Sequence, residues 1–226
     1  MSGENEINPV HESLWSRPIR GARGPIPLHS RESIAAAGIK IADEEGFESV
    51  TMRAIARSLG TAAPALYRYV NSREEIIELM VDAAIGTPPL IEPGPTWTDT
   101  MLKLANTQLL HHQSHAWLIQ AALGARSFGP NTLAWFEGYL MALKNLEVPA
   151  AMKMELIALV TGLVSLFAQQ NQKSASSTFA FDLLSAERHP NLAAALGEPG
   201  GTPDPEGLFD RAVLALCRGL ISSPGR

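Results

Sequence analysis

Arginine side chains are concentrated in one part of the chain, where they can bind phosphate. Residues 17–73 hold eight arginines and one lysine against five acidic residues, for a net charge of +4. The planar guanidinium fork pairs with phosphate oxygens and with the edge of guanine. The whole chain of 226 residues has a net charge of −5, because residues 1–16 and 74–226 are acidic. Nucleic-acid binding is therefore expected from this segment alone, although +4 is also typical of an ordinary solvated surface.

Within this segment, Thr51–Val70 has the spacing of two short helices that cross. Ala56 and Gly60 stand four residues apart, which supplies a small side chain for the crossing and a glycine for the turn. Small residues at the front of the second helix allow it to lie deep in the major groove of DNA. Tyr67 and Arg68, further along that helix, can then reach phosphates or base edges.

Helical periodicity continues along the rest of the chain, and the alternation typical of strands is absent, which predicts an all-α fold. Besides the crossing pair, helices are predicted near residues 30–45, from Ser72 onward, and near 96–113, 115–126, 130–146, 150–172, 178–196 and 206–221. The Pro-rich stretch Thr87–Pro95 separates the early helices from the later ones. We therefore predict a flexible basic tail over residues 1–28 and two helical domains, over 29–86 and 96–222.

The residues GFESVTMRAIARSLGTAAPALYRYVNSREEIIELM (Gly46–Met80) resemble the DNA-binding domain of the tetracycline-repressor (TetR) family. The likeness covers a helix that ends in glycine, a Thr-x-Arg start, the A-x-x-x-G spacing and the L-Y-x-Y-V recognition helix. A looser likeness to the regulatory domain of the tetracycline-repressor branch runs through Trp97, Leu123–Pro130 and the helix near 150–172. The resemblance implies a three-helix, helix-turn-helix DNA-binding domain joined to an α-helical ligand-binding and dimerisation domain.

The family resemblance also implies a function and a set of DNA contacts. It implies a homodimeric transcriptional regulator, a repressor in the expected case, which leaves a palindromic operator when a small molecule binds. By position, Thr51 and Tyr67 would contact phosphates, and Arg53 a base or phosphate. Arg73 would clamp the DNA backbone beside the fourth helix. The residues implied at base edges are Ala63, Pro64, Ala65 and Arg68.

Two tyrosines and the N-terminal arginines leave alternatives open. Of Tyr67 and Tyr69, we expect Tyr69 to pack inside the domain. The arginines of the tail could add contacts in the minor groove, as homeodomain-like arms do, or could belong to a linker that touches nothing. These arginines are Arg17, Arg20 and Arg23.

The resemblance departs from the tetracycline branch at the ligand site. Members of that branch hold a drug–magnesium complex through histidines and a glutamate, but Gln120–Ala122, Gly86–Pro89 and Ser165–Gln172 lack those residues. We therefore expect no metal, no cofactor and a different effector, held by an apolar wall with a few amides. Any one of the aromatic candidates could instead be core packing. The candidates are Met101, Trp117, Gln120, Phe128, Trp135, Tyr139, Phe167, Gln169 and Gln170.

Other kinds of chemistry have weaker support in the sequence. His111 and His115 are spaced to share a helix face and could bind zinc, but the HExxH motif would need a glutamate at position 112, which is histidine. No GxSxG, P-loop or GxGxxG motif is present, so an enzyme is not expected. The single cysteine, Cys217, excludes a disulfide framework and is expected to be a buried small hydrophobe.

The most apolar helices raise the question of a membrane. The run Leu156–Ala168 is shorter than the roughly 20 residues that span a bilayer, so a buried helix is expected. Within the resemblance, the helices near 150–172 and 206–221 form the dimer interface. The alternative is a helical ligand- or partner-binding protein, associated with a membrane or another protein, without operator function. The first 15 residues lack the apolar core of a signal peptide, so we expect a cytoplasmic protein.

Overall fold

The computed structural model describes residues 13–18, 29–90, 92, 94–173, 185, 187–197 and 207–222. Every regular element within these residues is helical, which confirms the predicted all-α class. Of the helix predicted over 178–196, the structure shows the last part as a helix from Pro190, and residues 178–184 lie outside the described residues. The α-helices are α1 Arg31–Glu45, α2 Met52–Ser58, α3 Ala63–Leu66, α4 Arg73–Ile85, α5 Trp97–Ser114, α6 Leu118–Gly124, α7 Pro130–Ala142, α8 Ala150–Lys173, α9 Pro190–Gly197 and α10 Leu208–Ser222.

Hydroxyl side chains fix where several of these helices begin. The Ser30 side chain accepts the Ser33 N–H at 3.1 Å, and Ser33 Oγ accepts the Ser30 N–H at 2.9 Å. This is a capping box with serine in the place usually taken by glutamate or glutamine. Thr96 and Asp99 form a second capping box at the start of α5. Both helices therefore begin where local hydrogen bonding satisfies the free N–H groups.

The first four helices enclose one part of a continuous apolar core. Ile34, Ile55 and Leu66 are fully buried and come from α1, α2 and α3. Gly38 brings α1 against α4 so closely that a Cβ at this position would lie 2.5 Å from Met80 Sδ. The absence of a side chain at Gly38 therefore sets the distance between these two helices.

The later helices form a bundle in which α8 packs against α5, α7 and α10. One face of α8 is fully buried and includes Ile157, Val160 and Val164. The opposite face leaves Leu159 and Leu166 about half exposed, at 45% and 51%. Residues 150–170 of α8 form a stretch long and apolar enough to cross a membrane, and only 22% of its apolar part is buried. The 13-residue run considered in the sequence underestimated this length, because the helix continues at both ends.

The N-terminal residues 13–18 pack against the body, so the prediction of a flexible tail does not hold for them. Leu14 is buried, and the Trp15 indole donates to Ser127 Oγ at 3.1 Å. The Arg17 guanidinium pairs with both oxygens of Glu75, at 2.9 and 2.5 Å. Arg20 and Arg23, the other proposed arm residues, lie outside the described residues.

The contact between Gly38 and Met80 yields a stability prediction. Alanine normally stabilises a helix interior relative to glycine, but the added Cβ at position 38 would meet the Met80 side chain. We expect Gly38→Ala to lower the free energy of unfolding by about 1–3 kcal/mol, as measured by urea denaturation. In a Met80→Ala background the same substitution should cost nothing or stabilise. A more stable single variant would contradict the close packing of α1 on α4.

Candidate functional site

The helix pair α2–α3 has the geometry that the sequence predicted. Thr51 caps α2 by accepting the Ala54 N–H at 3.1 Å, and Gly60 takes a φ of 65° in the turn. A positive φ costs glycine little, which explains why glycine stands at this turn. The turn is closed by the Thr61 N–H, which donates to the Ala56 carbonyl at 2.9 Å. Pro64 lies in the first turn of α3.

Most of the side chains proposed for DNA contact around this helix pair are exposed to solvent. Thr51, Arg53, Pro64, Tyr67 and Arg68 are exposed, and Tyr67 keeps 51% of its surface in solvent. The flanking Ala63 and Ala65 are partly exposed. Because large side chains are absent from the front of α3, its backbone can approach a groove closely. The contacts themselves remain predictions.

Tyr67 and Tyr69, which follow the end of α3, differ in burial, as expected. Tyr69 is 3% exposed and packs in the core, whereas Tyr67 faces solvent. The Tyr69 carbonyl accepts a hydrogen bond from Arg31 Nε at 3.1 Å. Arg31 also donates to the Arg17 carbonyl at 2.9 Å, so the side chain of this base is used inside the protein.

Arg73 also serves the interior of the unit, which the sequence did not reveal. Its Nε donates to the Val50 carbonyl at 2.7 Å and one Nη to the Phe47 carbonyl at 3.2 Å. The guanidinium carbon lies 5.2 Å from the centre of the Phe47 ring. These contacts hold the start of α4 on the 3₁₀ turn Phe47–Ser49. A DNA contact would have to use the donors of Arg73 that remain.

Two buried carboxylates connect α4 to the segment that leads into α7 and to the start of α7. Glu78 accepts hydrogen bonds from Ser127 Oγ and from the Arg126 N–H. Asp82, one turn later and 4% exposed, accepts the Asn131 N–H at 3.2 Å and the Thr132 N–H at 3.0 Å. Asp82 therefore satisfies the free N–H groups at the start of α7 from another helix. The sequence analysis did not identify these two residues, although their pattern, two acids four residues apart on an apolar helix, is a signal that could have found them.

A second connection joins α1 and α4 to the bundle through two tryptophans. The Asp43 carboxylate accepts from the Trp117 indole at 2.7 Å, and its two oxygens lie 2.9 and 3.1 Å from His115 Nδ1. The Trp135 indole donates to the Gly86 carbonyl at 2.9 Å. Both tryptophans are buried and hydrogen-bonded to other parts of the protein, and their proposed place in a ligand wall stays a prediction.

A cavity of about 650 Å³ lies between the linker before α5 and the facing sides of α5 and α7. This volume falls in the range of small-molecule sites. The predicted ligand residues are not among those that line it. Met101 and Tyr139 are buried, and each is next in sequence to a lining residue, whereas Gln120 and Phe128 are exposed. The remaining three, Phe167, Gln169 and Gln170, lie on α8. Residues that line the cavity include Pro89, Leu90, Trp97, Thr100, Leu104, Ala134, Glu137, Gly138, Met141 and Lys144.

Buried polar groups follow this cavity along α5 and α7. The Tyr139 hydroxyl donates to Gln108 Oε1 at 2.7 Å, and burial raises the pKa of Tyr139, with a further contribution from Cys217. His112 is 5% exposed, and neither ring nitrogen has a hydrogen-bond partner among the described residues. Burial, and secondarily His111, lowers the pKa of His112 to about 4, so its imidazole is neutral at pH 7.

The two histidines considered for zinc have separate surroundings. His111 lies edge-on to the Trp135 ring at a centroid distance of 6.0 Å, whereas His115 pairs with Asp43. Within the described ranges, no group of three or more His, Cys, Asp or Glu side chains is placed to hold a metal. Cys217 is buried, and burial raises the pKa of its thiol to about 11.

Two known transcriptional regulators are similar to this chain in sequence. An HTH-type transcriptional regulator of Saccharopolyspora erythraea is 28% identical over 223 residues, which cover 94% of this chain and 93% of the relative. The HTH-type transcriptional repressor DrrR1 of Streptomyces coeruleorubidus is 30% identical over 166 residues, or 72% of this chain. This chain spans only 61% of the length of DrrR1.

Solved structures share the fold. The TetR family protein ActR of Streptomyces coelicolor, in complex with (S)-DNPA, gives a TM-score of 0.73 at 23% identity, covering 89% of this chain and 100% of ActR. Its complex with actinorhodin gives a TM-score of 0.74 at 22% identity, covering 88% and 98%. At such identities the likeness establishes the arrangement of helices.

Two family models match the chain in succession. Residues 34–80 match the model described as bacterial regulatory proteins, tetR family. Residues 89–219, more than half of the chain, match the tetracyclin repressor-like C-terminal domain. The chain therefore belongs to the TetR family of bacterial transcriptional regulators.

Proposed function

We propose that this protein is a homodimeric repressor that binds a palindromic DNA operator and leaves it when a small molecule enters its helical body. The observation that carries the proposal is the helix-turn-helix pair α2–α3, at which Arg53, Tyr67 and Arg68 are exposed to solvent. DrrR1 is named a repressor, and ActR has been crystallised with (S)-DNPA and with actinorhodin, which supports both halves of the proposal. The expected site of action is the cytoplasm.

The two functions are assigned to two regions joined at the linker. Residues 29–86 would bind one operator half-site, and residues 96–222 would bind the effector and the second subunit. The cavity lies in the second region and includes Ala134 and Gly138 of α7. Asp82 of α4 holds the start of the same helix α7, so a displacement of α7 would be transmitted to α4.

Release from DNA would then follow from a change in helix spacing. Two recognition helices bind together only when their separation matches about one turn of DNA, roughly 34–36 Å. An effector that binds more tightly to a wider-set dimer shifts the population away from the DNA-bound form by the ratio of its two affinities. In this proposal, α4 carries that change from the cavity to α2 and α3.

The half-exposed apolar face of α8 supports a dimer through α8 and α10. Leu159 and Leu166 lie on this face, and burying them against a second copy would remove apolar surface from water. The second candidate is membrane association, because residues 150–170 have the length and hydropathy of a membrane span. The fully buried Ile157, Val160 and Val164 favour the dimer, since a membrane-spanning α8 would have to leave its own bundle.

The DNA-binding surface predicts the effect of removing two arginines. Operator duplexes would first be selected from a random pool, and affinity measured by fluorescence anisotropy at two salt concentrations. We expect Arg53→Ala with Arg68→Ala to weaken operator binding at least 100-fold, since each contact is worth about 1–3 kcal/mol. Arg57→Ala, an exposed substitution on α2, is the matched control and should cost less than threefold. Full operator binding by the double variant would contradict the assignment.

If the dimer forms through the exposed face of α8, a charge placed on that face should halve the mass of the protein in solution. The wild-type protein should have about twice the chain mass of 24.3 kDa in light scattering without detergent. Leu166→Arg should give a folded monomer, because a buried charge opposes the interface. Leu123→Arg, at an exposed position of α6, should remain dimeric. A wild-type protein that is soluble only in detergent would favour the membrane alternative.

A further inference from the structure

Residues 14–17, ahead of the first helix, are held against the helical body at their first end. Leu14 is 3% exposed, and the Trp15 indole donates to Ser127 Oγ at 3.1 Å. A Cβ at Gly129 would lie 2.6 Å from Cζ2 of Trp15, so the indole ring occupies the space that this glycine leaves. The segment is therefore anchored on the loop between α6 and α7.

The other end of the segment enters a hydrogen-bonded network beside α3. Arg17 pairs with both carboxylate oxygens of Glu75, at 2.9 and 2.5 Å. Oε2 of Glu75 also accepts the Asn71 N–H at 2.7 Å. Arg31 donates to the Arg17 carbonyl at 2.9 Å and to the Tyr69 carbonyl at 3.1 Å. Arg17 is therefore connected, through one carboxylate and one guanidinium, to two backbone groups of the stretch that follows α3.

The position of α3 depends on this stretch because the helix itself is short. It has four residues, of which Leu66 is buried. A helix of this length is not stable through its own hydrogen bonds, so it needs contacts at its ends. The turn at Gly60 fixes the end that α2 precedes. The network around Arg17 fixes the other end, between α3 and α4.

The ion pair in this network is largely removed from water, which makes its geometry strict. The side chains of Arg17 and Glu75 are 11% and 19% exposed. Burial alone would raise the pKa of Glu75, but hydrogen bonds from Arg17 and from the Asn71 N–H outweigh burial and lower it, so the carboxylate is charged at pH 7. Removing one partner of such a pair leaves the other charge poorly compensated.

We propose that residues 14–17 form an N-terminal strut that positions α3 for DNA, in which Arg17 fixes the stretch after α3 and Trp15 ties that stretch to the body. This inference rests on the proposed DNA-binding function. Arg17 is a positioning residue in it, because it acts through Glu75 and Arg31 rather than on a phosphate. The strut also gives a displacement of the loop before α7 a path to α3 through Arg31 of α1.

Neutralising Glu75 separates positioning from simple electrostatics. Losing an acid beside the DNA-binding surface would strengthen binding if charge alone mattered. We expect Glu75→Gln instead to weaken binding of the selected operator by about fivefold or more, because the buried Arg17 loses its partner. Fluorescence anisotropy measures the affinity. Glu74→Gln, which removes the neighbouring exposed acid, is the matched control and should bind no more weakly than the wild type. Equal or tighter binding by Glu75→Gln would overturn the inference.

The salt dependence of Arg17→Gln distinguishes a positioning residue from a phosphate contact. Loss of one phosphate contact lowers the slope of log affinity against log salt by about 1. We expect Arg17→Gln to weaken operator binding by about fivefold or more with an unchanged slope. Adding Glu75→Gln should cost less than about twofold further, because both changes break one interaction. A slope reduced by about 1 would overturn the positioning role.

Hydrogen exchange tests the strut in the absence of DNA. The Asn71 amide should exchange about tenfold faster in Arg17→Gln, while the amides of α10 keep their wild-type rates and show that the fold is intact. Trp15→Phe keeps an aromatic ring but loses the donor to Ser127, and should raise exchange at Asn71 about threefold. Unchanged exchange in both variants would overturn the strut. Faster exchange in Arg17→Gln alone would overturn the part assigned to Trp15.

The same preparations separate this inference from the proposed function. A wild-type protein that selects a palindromic operator, with Glu75→Gln binding it equally well, contradicts the strut and leaves the regulator intact. A protein that selects no DNA, yet exchanges faster at Asn71 in both variants, contradicts the regulator and supports the strut as a link between the two regions.

Discussion

Two carboxylates buried on α4 are the constraint on which the arrangement of this protein depends. A charged group removed from water is tolerated only when hydrogen bonds replace its hydration. Glu78 and Asp82 meet that requirement with donors from residues 126–132, most of them backbone N–H groups whose positions are set by the start of α7. The orientation of α4 relative to α7 is therefore fixed by an electrostatic requirement as well as by apolar packing.

The same helix, α4, also contacts the elements next to the DNA-binding pair. Arg73 at the start of α4 holds the 3₁₀ turn that precedes α2, and Met80 in its middle fills the space that Gly38 leaves on α1. The end of α4 leads to Gly86, whose carbonyl accepts from Trp135 of α7. α4 thus packs on α1, which contacts α2, and on α7, which lines the cavity. A continuous set of contacts of this kind is the geometry that communication between two distant sites requires.

The sequence predicted what depends on neighbours in the chain. The helices were found because periodicity, caps and breakers are local, and the α2–α3 turn because Gly60 and Pro64 stand at required positions. The contacts of Trp117 and Trp135 were missed because their partners are 74 and 49 residues away. The packing of residues 13–18 was missed for the same reason, since Arg17 pairs with Glu75, 58 residues later. The cavity was missed because a linker that reads as a spacer forms one of its walls.

Several of the bases in residues 17–73 are engaged in contacts within the protein. Of its nine bases, Arg17 is paired with Glu75, Arg31 binds two carbonyls, and Arg73 lies on Phe47. The net charge of +4 counted over residues 17–73 therefore overstates the positive surface available to phosphate. Non-specific affinity rises with the number of phosphates neutralised, so each subunit alone should bind DNA weakly. In the proposed dimer, tight binding would come from shape, from a few base contacts, and from two half-sites engaged together, so operator affinity would be sensitive to the spacing of the two DNA-binding units.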